Sequence, residues 1–352
     1  EGDNTAVGQL AGQFVSTGED NTFIGSSAGK GITGTRLTGD ENTAVGKDAG
    51  LLLQGAAHSN TLVGADAGDA MTTANSNVMV GYAAGSAVTT GGDNIIIGAS
   101  AGDLMTTTGA CILIGKNAGG AMSAGVTTTN GTVCIGAEAG SAISTGQKNL
   151  AIGYAALLQH TTGHRNIAIG YEAMNGSGDA QTVSSTDNIF IGTDAGGGTW
   201  TGSAESNFNV GIGSSTMSGA MDASSNNTAV GYAALSALTT GDQNTVVGKS
   251  AGTLISTGNY NTILGSEAAD SMTQGDYNVA IGYTAMGDAG NTDGIDKNVV
   301  IGAYAGDGFG NEAVEGTVVI GYAAGRGFED EADGTIAIGY FAGSLITSGA
   351  GN

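Results

Sequence analysis

The segment Asn77-Val78-Met79-Val80-Gly81-Tyr82-Ala83-Ala84-Gly85 recurs, with variation, along the whole 352-residue chain. Its central glycine, here called the marker, falls at Gly8, Gly25, Gly46, Gly64, Gly81, Gly98, Gly115, Gly136, Gly153 and Gly170, and again at Gly192, Gly213, Gly231, Gly248, Gly265, Gly282, Gly302, Gly321 and Gly339. Nine of the eighteen spacings between these nineteen glycines are 17 residues, three are 18, and six run from 19 to 22. A period so short and persistent leaves no stretch for a separate globular domain. It calls for one supersecondary unit, stacked many times.

Each position of the repeat has a physical reading. The residue before the marker is always Val, Ile or Leu, and the residue three before it is Thr, Val or Ile in every copy but Leu150. β-Branched residues at alternate positions predict a short strand. The glycine permits a tight bend. Three residues after it stands alanine, except at Thr216, which implies close packing inside a narrow coil. About seven after it comes an apolar residue, as at Val88, Met105, Ile143 and Ile255, often followed by a pair such as Thr89-Thr90 and a glycine. That predicts a second short strand ending in a turn. No apolar spacing of three and four persists, so helices are disfavoured. The expected fold is an all-β parallel β-solenoid, or β-roll, of about nineteen coils of 17–22 residues, forming one domain over residues 1–352 and rising about 4.8 Å per coil.

Asparagine stands four before the marker in fifteen of nineteen copies, the exceptions being Cys111, Thr132, Thr317 and Thr335. Stacked asparagines predict a hydrogen-bonded ladder along the solenoid. The residue two before the marker points away from the two β-branched positions. It carries no charged or polar side chain in any copy and includes Phe23, Leu62, Met79, Ile96, Leu113, Phe190, Val246, Ile263, Val300 and Val319. With the β-branched face expected to fill the coil, this second apolar stripe is expected on the outside, as an interface with another subunit. The alternative is a wider coil that encloses both faces.

Composition narrows the function. The net charge is −23, with only nine basic residues, so a basic groove for nucleic acid and binding to an anionic membrane are both disfavoured. There is no apolar run of 18 residues for a transmembrane helix. Two cysteines, Cys111 and Cys134, give no disulfide framework and read as buried hydrophobes. His160 and His164 lie four apart and read as solvated turn residues rather than a metal pair, and no Ser-His-Asp arrangement can be placed. Acidic turns such as Glu19-Asp20, Asp40-Glu41, 293–296 and 329–333 raise Ca²⁺ as the one cofactor to weigh, although no established calcium motif is present. Tyrosine follows the marker at Tyr82, Tyr154, Tyr171, Tyr232, Tyr283, Tyr322 and Tyr340, as a packed corner or an aromatic ledge for sugars. The longer coils insert residues before the next asparagine, with Trp200, Asp293 and Asp296 as candidate binding residues on those loops.

The segments Asn149-Leu150-Ala151-Ile152-Gly153 and Asn166-Ile167-Ala168-Ile169-Gly170 resemble the head repeat of YadA-type trimeric autotransporter adhesins. The Asn-Thr-Ala-Val-Gly form at Asn4 and Asn227 is also similar to repeats in bacteriophage tail fibres. The resemblance spans the chain but is one of repeat and not of site, and it departs in the 17-residue period and in the Ala-Gly that follows the bend. It implies a left-handed parallel β-roll, with three chains side by side, used for attachment at a cell or virion surface. The functional expectation is therefore an extracellular, non-catalytic fibre or filament segment, homo-oligomeric, with a host-surface glycan or receptor as a further partner. The alternative is an ice- or glycan-binding module that uses threonine rows or loop insertions. Glu1 and Asn352 both fall inside the repeat rhythm, so the chain is expected to be a window on a longer array or a subunit that stacks end to end.

Overall fold

A computed structural model describes residues 2–122, 131–176, 184–200, 205–289, 294–310, 313–328 and 332–344. The chain forms two compact units, Glu1–Ile169 and Gly170–Asn352. Each is an all-β parallel solenoid, and the described residues include no helix. Each repeat supplies one three-residue strand ending just before its marker glycine. The first unit runs from Thr5–Val7 to Ile167–Ile169, and the second has strands from Ile189–Ile191 to Ile336–Ile338. Successive strands within a unit pair in parallel and in strict register, so that Val78, Met79 and Val80 lie against Ile95, Ile96 and Ile97.

The expected second strand is largely absent. After the marker the chain runs through turns; among the described residues, Ile295–Asp296 and Val314–Glu315 pair as a second short sheet, and Val15, Leu37 and Gly55 form isolated parallel bridges. The reason is backbone handedness. The residue two after the marker is in the left-handed region in every copy, as at Ala83 (φ 52°), and the glycine four after the marker often is too, as at Gly85 (φ 58°). This segment still meets its backbone needs by alternation. The Val88 N–H donates locally to the Gly85 carbonyl at 3.0 Å, whereas the Gly85 and Thr89 N–H groups reach Ala101 and Thr106 of the next coil at 2.9 and 2.7 Å. A non-glycine residue in the left-handed region costs roughly 1–2 kcal/mol, so each coil relies on its neighbours to hold it there.

The marker glycine has two reasons to be glycine. Gly81 has φ 141°, a conformation nearly closed to residues with a Cβ, and a Cβ built there would lie 2.6 Å from the carbonyl oxygen of Gly98. The markers thus form a column of backbone in close contact.

The asparagines form the expected ladder, and they are buried. The Asn77 side chain accepts from the N–H and Nδ2 of Asn94 (3.1 and 3.0 Å) and donates from its own Nδ2 to Asn60 Oδ1 and the Gly91 carbonyl (3.1 and 3.0 Å). Thr317 shows how an exception is accommodated. Its N–H still donates to Asn298 Oδ1, and its hydroxyl donates to the Ala332 carbonyl where an Asn amide would. A second ladder runs two residues earlier and in the opposite sense: Asp242 N–H donates to Asn259 Oδ1, Asn259 N–H to Asp276 Oδ1, and Asp276 N–H to Asp296 Oδ1, at 2.7–2.8 Å. A third uses hydroxyls eight after the marker, where Thr72 donates to the Thr89 carbonyl and Thr89 to the Thr106 carbonyl, both at 3.0 Å.

The core of each coil is built from the middle strand residue, the alanine three after the marker and the apolar residue about seven after it. Met79, Ala84 and Val88 are all fully buried. Volumes compensate between coils: Gly211 takes the middle strand position above Phe190, and a Cβ there would meet that ring at 2.5 Å.

Three substitutions test this description. Gly81→Ala should destabilise by at least about 3 kcal/mol, combining strain and a backbone clash. Asn77→Ala should cost about as much, because it strands the Gly91 carbonyl and two donors of Asn94, whereas Asn77→Thr should cost clearly less by reproducing the Thr317 arrangement. Chemical denaturation followed by circular dichroism would rank the three.

Candidate interaction face

The three residues of each strand divide between inside and outside. Phe23, Leu62, Met79, Ile96, Leu113, Phe190, Val246, Ile263, Val300 and Val319, expected as an outer interface, are all buried within the coil. The assignment of faces is reversed. The coil is narrow enough that each strand contributes one inward side chain, the middle one, and the two β-branched neighbours face out.

The outward face is therefore the β-branched one. Ile97 is 36% exposed and Leu264 48%, with Ile24, Val63, Ile95 and Ile212 in the same range. None of the residues at these two positions, in any copy, carries a charge. In the first unit this gives two adjoining columns over ten strands. Threonine occupies the outer column in seven copies, including Thr43, Thr61, Thr245 and Thr262. That was the legible signal for which face meets water, since a core column rarely takes so many hydroxyls.

The tyrosines after the marker flank these columns and are exposed, Tyr82 by 62%. In the last coils of the second unit Tyr283, Tyr322 and Tyr340 are joined into an aromatic ledge by Tyr304, which stands two after its marker. Tyr283 and Tyr304 meet edge to face at 5.3 Å, Tyr304 and Tyr322 at 5.8 Å, and Tyr322 stacks on Tyr340 at 5.5 Å. The Arg326 guanidinium lies 6.0 Å from the Tyr304 ring centroid and pairs with Asp307 at 3.4 Å.

The loop candidates do not form a site. Trp200 is buried, donates from Nε1 to the Gly196 carbonyl at 2.7 Å, and packs edge to face on Phe190 at 5.8 Å. It is a core residue that a longer coil folds back inside. Asp296 serves the second ladder as acceptor for the Asp276 N–H. Asp40 and Asp333 do the same for Glu19 and Glu315, so these turn acids have a backbone role independent of calcium. Asp293 lies outside the described residues. Among the described residues, no group of three or more His, Cys, Asp or Glu side chains could hold a metal ion.

The two histidines part company. His164 stands in the second ladder, accepting the Gln147 N–H at Nδ1 (3.0 Å). His160 is not a solvated turn residue. It is fully buried in the slot seven after Gly153, where other coils carry Met71, Met105 or Ile143. Burial pushes its pKa down to about 3 from an ordinary 6.5. Both cysteines are buried thiols and are not joined in a disulfide; burial pushes Cys111 up to about 11 and Cys134 higher still. The chain matches no protein-family model, and no curated protein or solved structure is detectably similar to it.

His160 gives a signed pH prediction. A folded pKa below the unfolded one means that the unfolded chain takes up the proton first. The neutral ring therefore leaves stability intact above pH 6.5 and removes it progressively as pH falls toward 3. His160→Met fills the slot as Met105 does and removes this dependence. The half-buried acids Asp69, Asp103 and Asp270, whose pKa values burial raises, act in the opposite direction and cancel between the two proteins. Thermal unfolding midpoints of wild type and His160→Met should thus diverge steadily from about pH 7 to about pH 4, the variant being the more stable in acid.

Proposed function

We propose that this chain is a non-catalytic structural segment of a fibre or filament, assembled from copies of itself and serving attachment at a cell or virion surface. The observation that carries the reading is the outward sheet face. A solvated sheet normally alternates apolar and polar side chains. Here the exposed columns are Val, Ile, Leu and Thr without a charge, in a chain of net charge −23. Ten strands at about 4.8 Å, each three residues of about 3.3 Å, give about 480 Å² of such surface in the first unit alone. That lies within the range of the largest patches found on monomers and is more than half of the roughly 800 Å² per partner of a stable interface. Neither column carries an acid, so an interface made by the columns themselves would bury none.

The ladder chemistry supports a mechanical role. Within each unit, neighbouring coils are bonded through their strands and, in many coils, through rows of side chains as well, which suits a body that must stay rigid. The same rows weigh against a threonine-based ice or glycan surface, because Thr72, Thr89 and Thr239 spend their hydroxyl protons on the carbonyl of the next coil. A surface glycan or receptor remains the partner proposed for the attached end of such a fibre, and a left-handed trimer the assembly that the repeat's resemblance suggests.

Multi-angle light scattering tests the assembly. Wild type should be oligomeric at micromolar concentration. Val63→Lys with Ile97→Lys should shift it to monomer while preserving its circular dichroism, because both side chains lie outside the core. A wild-type monomer under these conditions would refute the reading.

A further inference from the structure

Three of the ten tyrosines depart from the place just after a marker, and two of these, Tyr260 and Tyr277, stand five before Gly265 and Gly282 in consecutive coils. No other copy has tyrosine at that position, where Ser59, Ser76, Asp93 and Gln243 stand in other coils. The two rings are parallel to within 2°, with centroids 4.6 Å apart. Tyr322 and Tyr340 stack more loosely, at 5.5 Å and 14°. Parallel rings at such a separation are offset-stacked, with carbons of one lying against the face of the other.

Bonds between the coils hold this pair in place. The Tyr260 N–H donates to the Asp242 carbonyl at 3.0 Å and the Tyr277 N–H to the Asn259 carbonyl at 2.9 Å. On one flank the Asn259 N–H and Nδ2 both donate to Asp276 Oδ1, at 2.7 and 3.1 Å. On the other the Asn278 N–H and Nδ2 both donate to Asn261 Oδ1, at 2.9 and 3.1 Å. The outer end of the Tyr260 ring is held by Gln243, whose Nε2 donates to the phenol oxygen at 3.0 Å. The rings are nonetheless 44% and 53% exposed, so a solute reaches both.

A phenol that loses one electron and its proton becomes a phenoxyl radical, with its unpaired spin on the oxygen and on the ring carbons ortho and para to it. In tyrosine the para carbon carries the side chain, so two such radicals join through their ortho carbons. The ring hydrogens at the new bond then move to the oxygens and restore both phenols. In total two tyrosines give up two electrons and two protons, and one hydrogen peroxide takes them up to become two waters. Rings held in contact react as partners within one molecule, at an effective concentration far above that of separate chains.

We propose that Tyr260 and Tyr277 are a site of oxidative coupling, forming a dityrosine bond between neighbouring coils when hydrogen peroxide and a haem peroxidase act on the chain. The bond joins side chains one repeat apart and staples two coils as a disulfide does, in a chain whose two cysteines are not joined. The site uses no residue of the outward strand columns and stands or falls apart from the oligomeric reading.

The test treats the full chain, at low micromolar concentration, with hydrogen peroxide and a haem peroxidase, and then digests it with a protease that cuts before aspartate. In the unlinked chain, cuts at Asp270 and Asp276 separate Tyr260 from Tyr277. The expected product is the two peptides joined and lighter by the lost hydrogens, recovered from material that runs as a single chain on a denaturing gel and shows the blue fluorescence of dityrosine. Tyr260→Phe and Tyr277→Phe keep both rings, and each should abolish the joined peptide. Tyr82→Phe should leave its yield unchanged, although Tyr82 is the more exposed at 62%. Unchanged circular dichroism would confirm that the variants are folded. Three results overturn the proposal: no joined peptide while the same peroxidase couples added free tyrosine, a joined peptide found only in covalent dimers of the chain, or a yield no greater than that of links made by Tyr82.

Discussion

The typical buried asparagine of the column reaches in two directions at once. Its Oδ1 accepts from the coil that follows, and its Nδ2 donates to the asparagine of the coil before and to a carbonyl of the coil after, as Asn77 does toward Asn94, Asn60 and Gly91. An amide can do this because it carries donor and acceptor on one planar group. The strand, the column of marker glycines and the outer ladders all depend on that alignment. Shifting one coil by a residue would break every bond in the column and leave polar groups buried without partners, at about 1–3 kcal/mol each. The register of the solenoid is therefore fixed by a polar column inside an apolar core, and the apolar core alone would not fix it.

Close stacking explains several residue choices that otherwise look unrelated. The marker must be glycine because neighbouring backbones touch there, as Gly81 touches Gly98. Alanine follows three residues later because the coil has no room for more. The acids and amides six before the marker are acceptors for the N–H of the preceding coil, which accounts for Asp40, Asp242, Asp276, Asp296 and Asp333 without a cation. These turn positions looked like a calcium pattern because chelation and capping of a backbone N–H both select side-chain oxygens. His164 fills the same place with a ring nitrogen, accepting the Gln147 N–H.

The candidate surface was legible in its residues but not in its direction. The strand is apolar on both faces, and alternation says only that the middle residue opposes its two neighbours. The clue lay in tolerance of volume. The middle position ranges from Gly211 through Ala151 to Phe190 and Met79, with small residues beside large ones, as a core allows when neighbouring coils share space. The outer positions are uniform in size and often threonine. Trp200 misled for a similar reason: it sits on an insertion, where exposure is the default, but its ring is large enough to gain more from Phe190 and the core than from water.

The sequence by itself determined the repeat, the parallel stacking, the strand before each marker glycine and the asparagine column. All of these follow from periodicity, and a period of about 17 residues with β-branched alternation admits few folds. Only the tertiary structure decided which strand face turns inward, that turns replace a second strand, and that His160 is in the core while His164 is at a corner. Those outcomes depend on the width of the coil and on left-handed backbone at residues such as Ala83, both of which are set by contacts between neighbouring coils and not by any local pattern along one of them.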